Sequence, residues 1–517
     1  MTGAVAEAVN ETGYPDPVRR FLITVPAMLA STMVAVDITI ANVALPHMQS
    51  ALSASSDQIV WVLTSYLVAG AIATPLSGWL ASRYGRKRIM MISVLGFTLA
   101  SGLCGASNDL PSIVLARALQ GASGAALIPL SQAILLDINP PERLGRAMAM
   151  FSLGSMAGPV IGPSLGGWLT DSLSWRWVFF INIPIGVLSF IGMLSFMPET
   201  RSNHTTRFDM FGFLAVSTAL TSLQLMLDRG EQLDWFESTE IQIYAVILAM
   251  AVYLTTVHVM TARDTFIRPE LFKDRNFAVG SIVRALLGVV VFATVPLIVV
   301  MTQSLLGYTA FRTGMVGMPR AAGTIVSTLV VARVVGKIDT RIILFFGLLT
   351  SAISMLMYAK IDLFVDQDTI LYIGFIQGLS GGLVFLPLSV MVFATLNDKL
   401  RNEGAAMFAL TGNLGNAIGI SLLNRELIHS TAMSRAHLVE GVRPDNPIVQ
   451  YGMPDFDPGS TGTLAQLNAE ISRQASMVGS VDIYYFVFIV SLAMMPLIFF
   501  LSPPGRRALR EPMPVME

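Results

Sequence analysis

Runs of about 20 apolar residues recur from one end of this 517-residue sequence to the other, and no other feature narrows its fold so far. A run of that length crosses a ~30 Å hydrocarbon core as a helix. The runs fall near 21–45, 59–81, 89–107, 111–136, 146–170, 177–197, 209–227, 240–260, 277–301, 314–332, 342–359, 369–395, 404–423 and 482–502, fourteen in all. Backbone immersed in lipid must satisfy its own hydrogen bonds, so such a chain folds as a helical bundle. Composition agrees: 13% of residues are charged and mean hydropathy is +0.64, where soluble domains run near 25% charged. The fold class is all-α integral membrane. The net charge of −1 says nothing about partners, because charge in a membrane protein is read by side; membrane lipids are partners and no nucleic acid is expected.

The side follows from the basic residues. With the N-terminal segment placed in the cytoplasm, the inner segments hold 22 Lys and Arg, among them Arg83, Arg86, Lys87 and Arg88. The short outer loops hold only Arg176, Arg229, Arg312 and Lys360. Both termini are therefore expected to be cytoplasmic. Pro15, Asp16 and Pro17 precede a first span without a cleavage pattern, so no removable signal peptide is expected. The single cysteine, Cys104, lies within a span, which excludes internal disulfides and cysteine-based metal sites.

An internal repeat organises the spans. "QGASG" at 120–124 returns as "QGLSG" at 377–381, and "AMFSL" at 149–153 as "AMFAL" at 406–410, both 257 residues on. Spans 4 and 12, and spans 5 and 13, are thus pseudo-equivalent, eight spans out of register. Two six-helix halves with a two-helix insert account for that offset, and parallel halves of this kind place a substrate site at their interface. The expected boundaries are a cytoplasmic segment 1–20, an N-terminal bundle 21–206, an insert 207–262, a C-terminal bundle 263–502 with an outer loop 425–481, and a cytoplasmic tail 503–517. That outer loop is polar and rich in Pro, Gly and Asn, the composition of a functional or disordered segment.

Several residues stand out against this background. Asp37 is ionisable at depth in span 1, which marks it as a functional suspect; Arg117, in span 4, lies at a similar depth, ~9–13 Å from the outer side at 1.5 Å per residue. Desolvation favours the neutral acid and a neighbouring guanidinium favours the carboxylate, so the pair suits either a proton carrier or a static ion pair fixing two helices. Gln120 is one turn from Arg117, with Gly121 and Gly124 beyond it. Arg284 and Arg320 also sit inside spans and are candidates for substrate or proton contact, with snorkelling the competing account of Arg284. Span 5 carries "GSMAGPVIGPSLGGWL", in which Gly154, Gly158, Gly162 and Gly166 recur every four residues, with Pro159, Pro163 and Gly167 among them. Each interior Gly costs ~1 kcal/mol and each Pro ~3 in a water-soluble helix, whereas in lipid small residues let helices approach closely. The repeat sets Arg117 opposite Gly374, and Pro159 and Pro163 opposite Asn416 and Ile420.

These residues carry a family resemblance. "GWLASRYGRKR" (78–88) resembles the loop between helices 2 and 3 of the major facilitator superfamily, matching at Gly78, Arg83, Gly85, Arg86 and Lys87, with Ser82 where an Asp is common. "LARALQGASGAA" (115–126) resembles its helix-4 motif, and the span 5 stretch its antiporter motif. "VDITIANVALP" (36–46) and "WRWVFFINIPIG" (175–186) look like the fourteen-span drug:proton antiporter branch, and "SLQLMLDRGEQLDWFESTEI" (222–241) and "NRELIHSTAM" (424–433) are similar to its EmrB-type multidrug efflux pumps.

The resemblance implies a major facilitator fold in a bacterial inner membrane. It implies export of hydrophobic toxic compounds in exchange for protons by alternating access. Asp37 and Arg117 would couple protons, span 5 would be a kinked sealing helix between the halves, and residues 78–87 would form a cytoplasmic gate. It further implies a periplasmic adaptor and an outer-membrane channel as partners. Ser82 puts a direct copy of the gate's charge latch in doubt, and a positive-inside anchor is the competing account of the basic residues.

No G-x-x-x-x-G-K-[ST] loop, nucleophile elbow or metal-ligand spacing is present, so neither an enzyme nor a cofactor is expected beyond protons as coupling ion. His429 and His437, eight apart, are too few to indicate metal. A charge moved through 100 mV is worth ~2.3 kcal/mol, enough for a roughly 50-fold gradient at 1.4 kcal/mol per tenfold. Export of a native lipid or metabolite, and a transport-silent scaffold or sensor of the same fold, are the alternatives.

Overall fold

The computed structural model describes residues 14–140, 143–199, 208–230, 232–262, 265, 267–397, 400–442 and 461–502. The expected terminal segments lie largely outside these, as do Arg201, Arg207, Arg263, Lys399, Arg506, Arg507 and Arg510. Among the described residues there is no strand, and fourteen long helical segments follow one another. They are α1 (Pro17–Ala51), α2 (Trp61–Tyr84), α3 (Arg86–Ala106), α4 (Leu110–Ile138), α5 (Leu144–Ser172), α6 (Trp177–Phe196) and α7 (Met210–Arg229). Then come α8 (Thr239–Thr261), α9 (Arg275–Leu305), α10 (Ala310–Val334), α11 (Thr340–Tyr358), α12 (Gln367–Ala394), α13 (Arg401–Glu440) and α14 (Thr461–Met494). Most run past the apolar stretch at one or both ends, because helix hydrogen bonding does not stop where the hydrocarbon does.

Five of these helices begin on an aspartate whose side chain accepts a backbone N–H of the first turn: Asp109, Asp209, Asp274, Asp339 and Asp366. A carboxylate there satisfies an orphan donor and meets the positive end of the helix dipole. The bond from the Ser112 N–H holds the Asp109 carboxyl below its ordinary range. These acids have a local structural job, which separates them from Asp37 in the middle of α1.

Helix α5 packs on α1 within its own half and on α10 of the other, while α2 faces α13. The insert sits to one side: α7 lies along the seam between α2 and α13, and α8 packs chiefly on α7. Only 6% of the most apolar stretch of α8 is buried, against 33% or more in the other spans measured. Its exposed Ile243, Val246, Met250, Tyr253 and Met260 form an all-round apolar surface of the kind that faces lipid.

The expected loop at 425–481 is largely helical instead. Helix α13 continues to Glu440 and α14 starts at Thr461, and the two pack along each other. Ser430 hydrogen-bonds Asp482, and Arg435 Nη2 donates to Asn468 Oδ1 (2.8 Å). Between Arg425 and Glu440 there is no Gly or Pro, so nothing in that stretch stops the helix. The Pro- and Gly-rich part, 443–460, lies outside the described residues. His429 and His437 are both on the α13 extension.

Candidate functional site

Asp37 has both carboxylate oxygens occupied. Arg117 Nη1 donates to Oδ2 at 2.6 Å, while Gln120 Nε2 and Asn182 Nδ2 each donate to Oδ1 at 2.8 Å. Asp37, Gln120 and Asn182 are 0% exposed and Arg117 is 1% exposed. Arg117 is itself fixed: its Nε donates to the Val62 carbonyl (3.1 Å), and its guanidinium carbon lies 4.1 Å from the Tyr66 ring centre. Asn182 also donates to Ser101 Oγ (3.0 Å), whose hydroxyl donates to the Phe179 carbonyl (2.8 Å). Helices α1, α2, α3, α4 and α6 thus converge on one carboxylate.

The arrangement brings together the three polar residues singled out from the sequence, Asp37, Arg117 and Gln120. It adds Asn182, Ser101 and Tyr66, which sequence reasoning missed. An Asn within the apolar stretch "FINIPIG" was the available signal for Asn182; nothing marked Ser101 or Tyr66. Chemically the cluster is a buried ion pair with neutral donors around the anion. A proton arriving on Asp37 removes the partner charge of Arg117, and leaving one buried ion unpaired is costly, about 3–5 kcal/mol.

The glycine ladder of α5 grips the helix that carries Asp37. Gly154 lies against Met28 and Thr32, Gly158 against the backbone of Ala35 and Val36, Gly162 against Thr39 and Gly166 against Ile40. A Cβ at Gly158 would land on the Ala35 carbonyl. Thr32 Oγ1 and Thr39 Oγ1 donate to the carbonyls of Gly154 (3.1 Å) and Gly158 (2.9 Å). The glycines face α1 in the same half, and α5 meets the other half through its packing on α10, so the span lies at the interface between the halves while its glycine face points inward to α1. The helix runs unbroken from Leu144 to Ser172; the side chains of Pro159 and Pro163 lie outside the described residues, and Gly167 is clear of the contact, with Val43 4.0 Å from its would-be Cβ. Gly121 lies against the Tyr66 backbone and Gly124 against the Phe97 side chain, so α4 approaches the backbone of α2 closely and packs under a ring of α3.

At the end of the bundle bearing residues 78–88, polar links join the halves. Ser82 Oγ donates to Glu403 Oε1 (3.0 Å) across α2 and α13. Asp137, at the end of α4, pairs with Arg86 and accepts from Arg401 Nη1 of α13 (3.3 Å). With Ser82 in place of an Asp, the serine hydroxyl reaches an acid on the opposite half, and Asp137 supplies a carboxylate on this one. Gly78 is buried within α2. Gly85 joins α2 to α3 at φ +91°, a conformation that glycine adopts without steric cost. Lys87 Nζ donates to the Leu194 carbonyl (3.0 Å), and Arg83 stacks over Trp79. Asp137, Arg401 and Glu403 were not anticipated as partners, because their links join residues far apart in sequence.

The other half answers with different chemistry. Gln377, the repeat partner of Gln120, donates to Thr294 Oγ1 (3.2 Å). Arg320 donates to the Val291 carbonyl (2.8 Å), inside the π-helical turn Gly288–Phe292 of α9. Arg284 lies over Phe385 at 5.2 Å and Phe408 at 5.9 Å. Arg284 and Arg320 are therefore half-buried among the helices of the C-terminal half, apart from the Asp37 cluster. Among the described residues no group of His, Cys, Asp and Glu has the makings of a metal site.

A profile of the Major Facilitator Superfamily matches residues 27–420. The chain is 33% identical to the multidrug export protein EmrB of Haemophilus influenzae, the match covering 93% of this chain and 96% of that one. It is 32% identical to EmrB of Escherichia coli K12, covering 93% and 95%. It is also 31% identical to the fatty acid resistance protein FarB of Neisseria gonorrhoeae, covering 93% and 96%. Among solved structures, the human organic anion transporter MFSD10 superposes with a TM-score of 0.58 at 13% identity, covering 92% of this chain and 100% of that one. The proton:xylose symporter XylE does so at 0.54 and 14%, covering 91% and 96%; at such identities these two speak for the fold alone. With the helical halves, the helix-4 cluster and full-length relatives in agreement, the chain belongs to the Major Facilitator Superfamily, in its EmrB-type branch.

Proposed function

We propose that this protein is a proton-coupled exporter of hydrophobic, chemically varied toxic compounds, working by alternating access in a bacterial inner membrane. The observation that carries this reading is the fully buried Asp37, paired with Arg117 at 2.6 Å and bonded by two amides. Protonation from the outer side would release Arg117 from its partner; return of the proton to the cytoplasm would restore the pair. Driving force thus enters as a charge equilibrium between two helices rather than through a bound nucleotide. Asp37 is the proton carrier, Arg117 its electrostatic counterpart, and α5 the helix that holds α1 in register while meeting the other half.

With the basic 82–88 segment cytoplasmic and both termini on that side, the Ser82–Glu403 and Arg401–Asp137 links close the cytoplasmic face. The α13–α14 extension then projects outward, and we assign to it contact with a periplasmic adaptor that leads to an outer-membrane channel. The deciding experiment is drug-triggered proton release from liposomes containing the purified chain, wild type against Asp37→Asn. Proton release in wild type and none in the variant, with drug binding intact in both, is the expected result. Normal coupling in the variant would make Asp37 structural, and no flux in either would favour a transport-silent role. A second reading, export of a native lipid or fatty acid, draws on the similarity to FarB; competition between a long-chain fatty acid and a drug for efflux separates the two.

A further inference from the structure

The inserted helix α7 brings a second carboxylate into the bundle. Asp228, in its last turn, accepts from Thr64 Oγ1 of α2 (2.9 Å) and from Gln224 Nε2 one turn back (2.9 Å). Both donors are neutral. Its neighbour Arg229 is committed elsewhere, to Glu240 of α8 (2.9 Å), so no cation among the described residues is within ion-pair distance of Asp228. The carboxylate lies on the wall of a cavity of about 190 Å³ between α2 and α7, lined also by Gln58, Trp61, Thr64 and Gln232. Arg229 closes one side, paired with Glu240 and lying over the Trp61 ring at 5.9 Å, so its own charge is already balanced. Trp61 contributes an indole 37% exposed.

From this geometry we infer that the cavity between α2 and α7 is a binding site for an organic ammonium group, with Asp228 as its counter-charge and Trp61 as its apolar wall. The size suits the inference: a 150 Å³ apolar cavity holds benzene, and this one takes a substituted ammonium head with its tail directed outwards. Carboxylate plus aromatic surface is the chemistry that selects quaternary ammonium over neutral compounds of the same shape. An unpaired, partly buried carboxylate gains a cation partner there without giving up the Thr64 bond. The site is separate from Asp37, although both reach the start of α2: Val62 binds Arg117 and Thr64 binds Asp228.

The test is equilibrium binding of benzyltrimethylammonium to the full chain in phosphatidylglycerol nanodiscs, measured by calorimetry against empty nanodiscs without any proton gradient. Wild type and Asp37→Asn should bind alike, whereas Asp228→Asn should weaken Kd at least tenfold. Gln232→Lys, at an exposed position that leaves the Asp228 bonds untouched, should weaken it at least threefold and guards against a misfolded Asp228 variant. Neopentylbenzene, the uncharged isostere, should bind at least tenfold more weakly. Unchanged binding in both Asp228→Asn and Gln232→Lys, loss of binding in Asp37→Asn alone, or equal affinity for the isostere would overturn the assignment. Adding phosphatidylethanolamine sorts the source of the group: a weaker apparent affinity assigns the site to a lipid headgroup, an unchanged one to a soluble cation. Because no flux is measured, failure here is distinguishable from failure of proton coupling.

Discussion

The two halves use the same glutamine for opposite purposes. In the N-terminal half Gln120 helps clamp a buried carboxylate against a buried guanidinium; in the C-terminal half its repeat partner Gln377 donates to the hydroxyl of Thr294. Where the first half has Arg117, the second has Gly374. The half-buried arginines of the second half lie against a backbone carbonyl and aromatic faces. One half therefore carries a charge pair whose balance a proton changes, and the other carries hydrogen bonds and cations that a proton on a carboxylate does not touch. Common ancestry of the halves supplies the frame, and a pair of substitutions within it supplies the asymmetry.

The comparison breaks most directly at its centre. Asp37→Asn should abolish proton-coupled efflux, at least a hundredfold loss in liposome flux, while Thr294→Val should leave flux within threefold of wild type. Similar losses from both would mean that the halves share the coupling. Next in size is Arg117→Gln, which strands the buried Asp37 carboxylate and should destabilise the fold by about 3–5 kcal/mol, read as a lowered melting temperature in detergent. Neutralising the acid in the double variant Asp37→Asn/Arg117→Gln should recover much of that loss. Smaller again is Gly158→Ala, whose methyl meets the Ala35 carbonyl; overpacking of this kind costs about 1–3 kcal/mol, against no measurable change for Gly167→Ala. The smallest effect should come from Asp137→Asn, which weakens the link between the halves and should raise labelling of a cysteine introduced as Arg83→Cys, in a Cys104→Ser background, two- to fivefold.

Much of the architecture was legible because lipid leaves the chain few choices. Fourteen apolar runs translate into fourteen helical segments almost by length alone, and the 257-residue repeat already implied two matched halves. Asp37 and Arg117 were conspicuous for a related reason: a charge among apolar residues stands out in sequence as it does in energy. Asn182 was harder to see, since an amide inside an apolar run is common and its meaning depends on what faces it. The glycine ladder shows the same limit. Its four-residue spacing announces a close helix contact, yet the partner could be α1 or a helix of the other half, and only packing decides. Residues 425–481 were misread through averaging, because Pro and Gly concentrated in their middle coloured flanks that are good helix.

The sequence by itself determined that this is a multi-span helical membrane protein with duplicated halves and one acid out of place in its first span, because the price of polar groups in hydrocarbon is high enough to be read locally. Tertiary structure alone decided that Asp37 is bound by three donors from α4 and α6, that Ser82 reaches Glu403, and that Asp228 accepts from Thr64 on a cavity wall. Each of these joins residues 80 or more positions apart, and a contact at such separation is set by how helices stack, which no local pattern encodes.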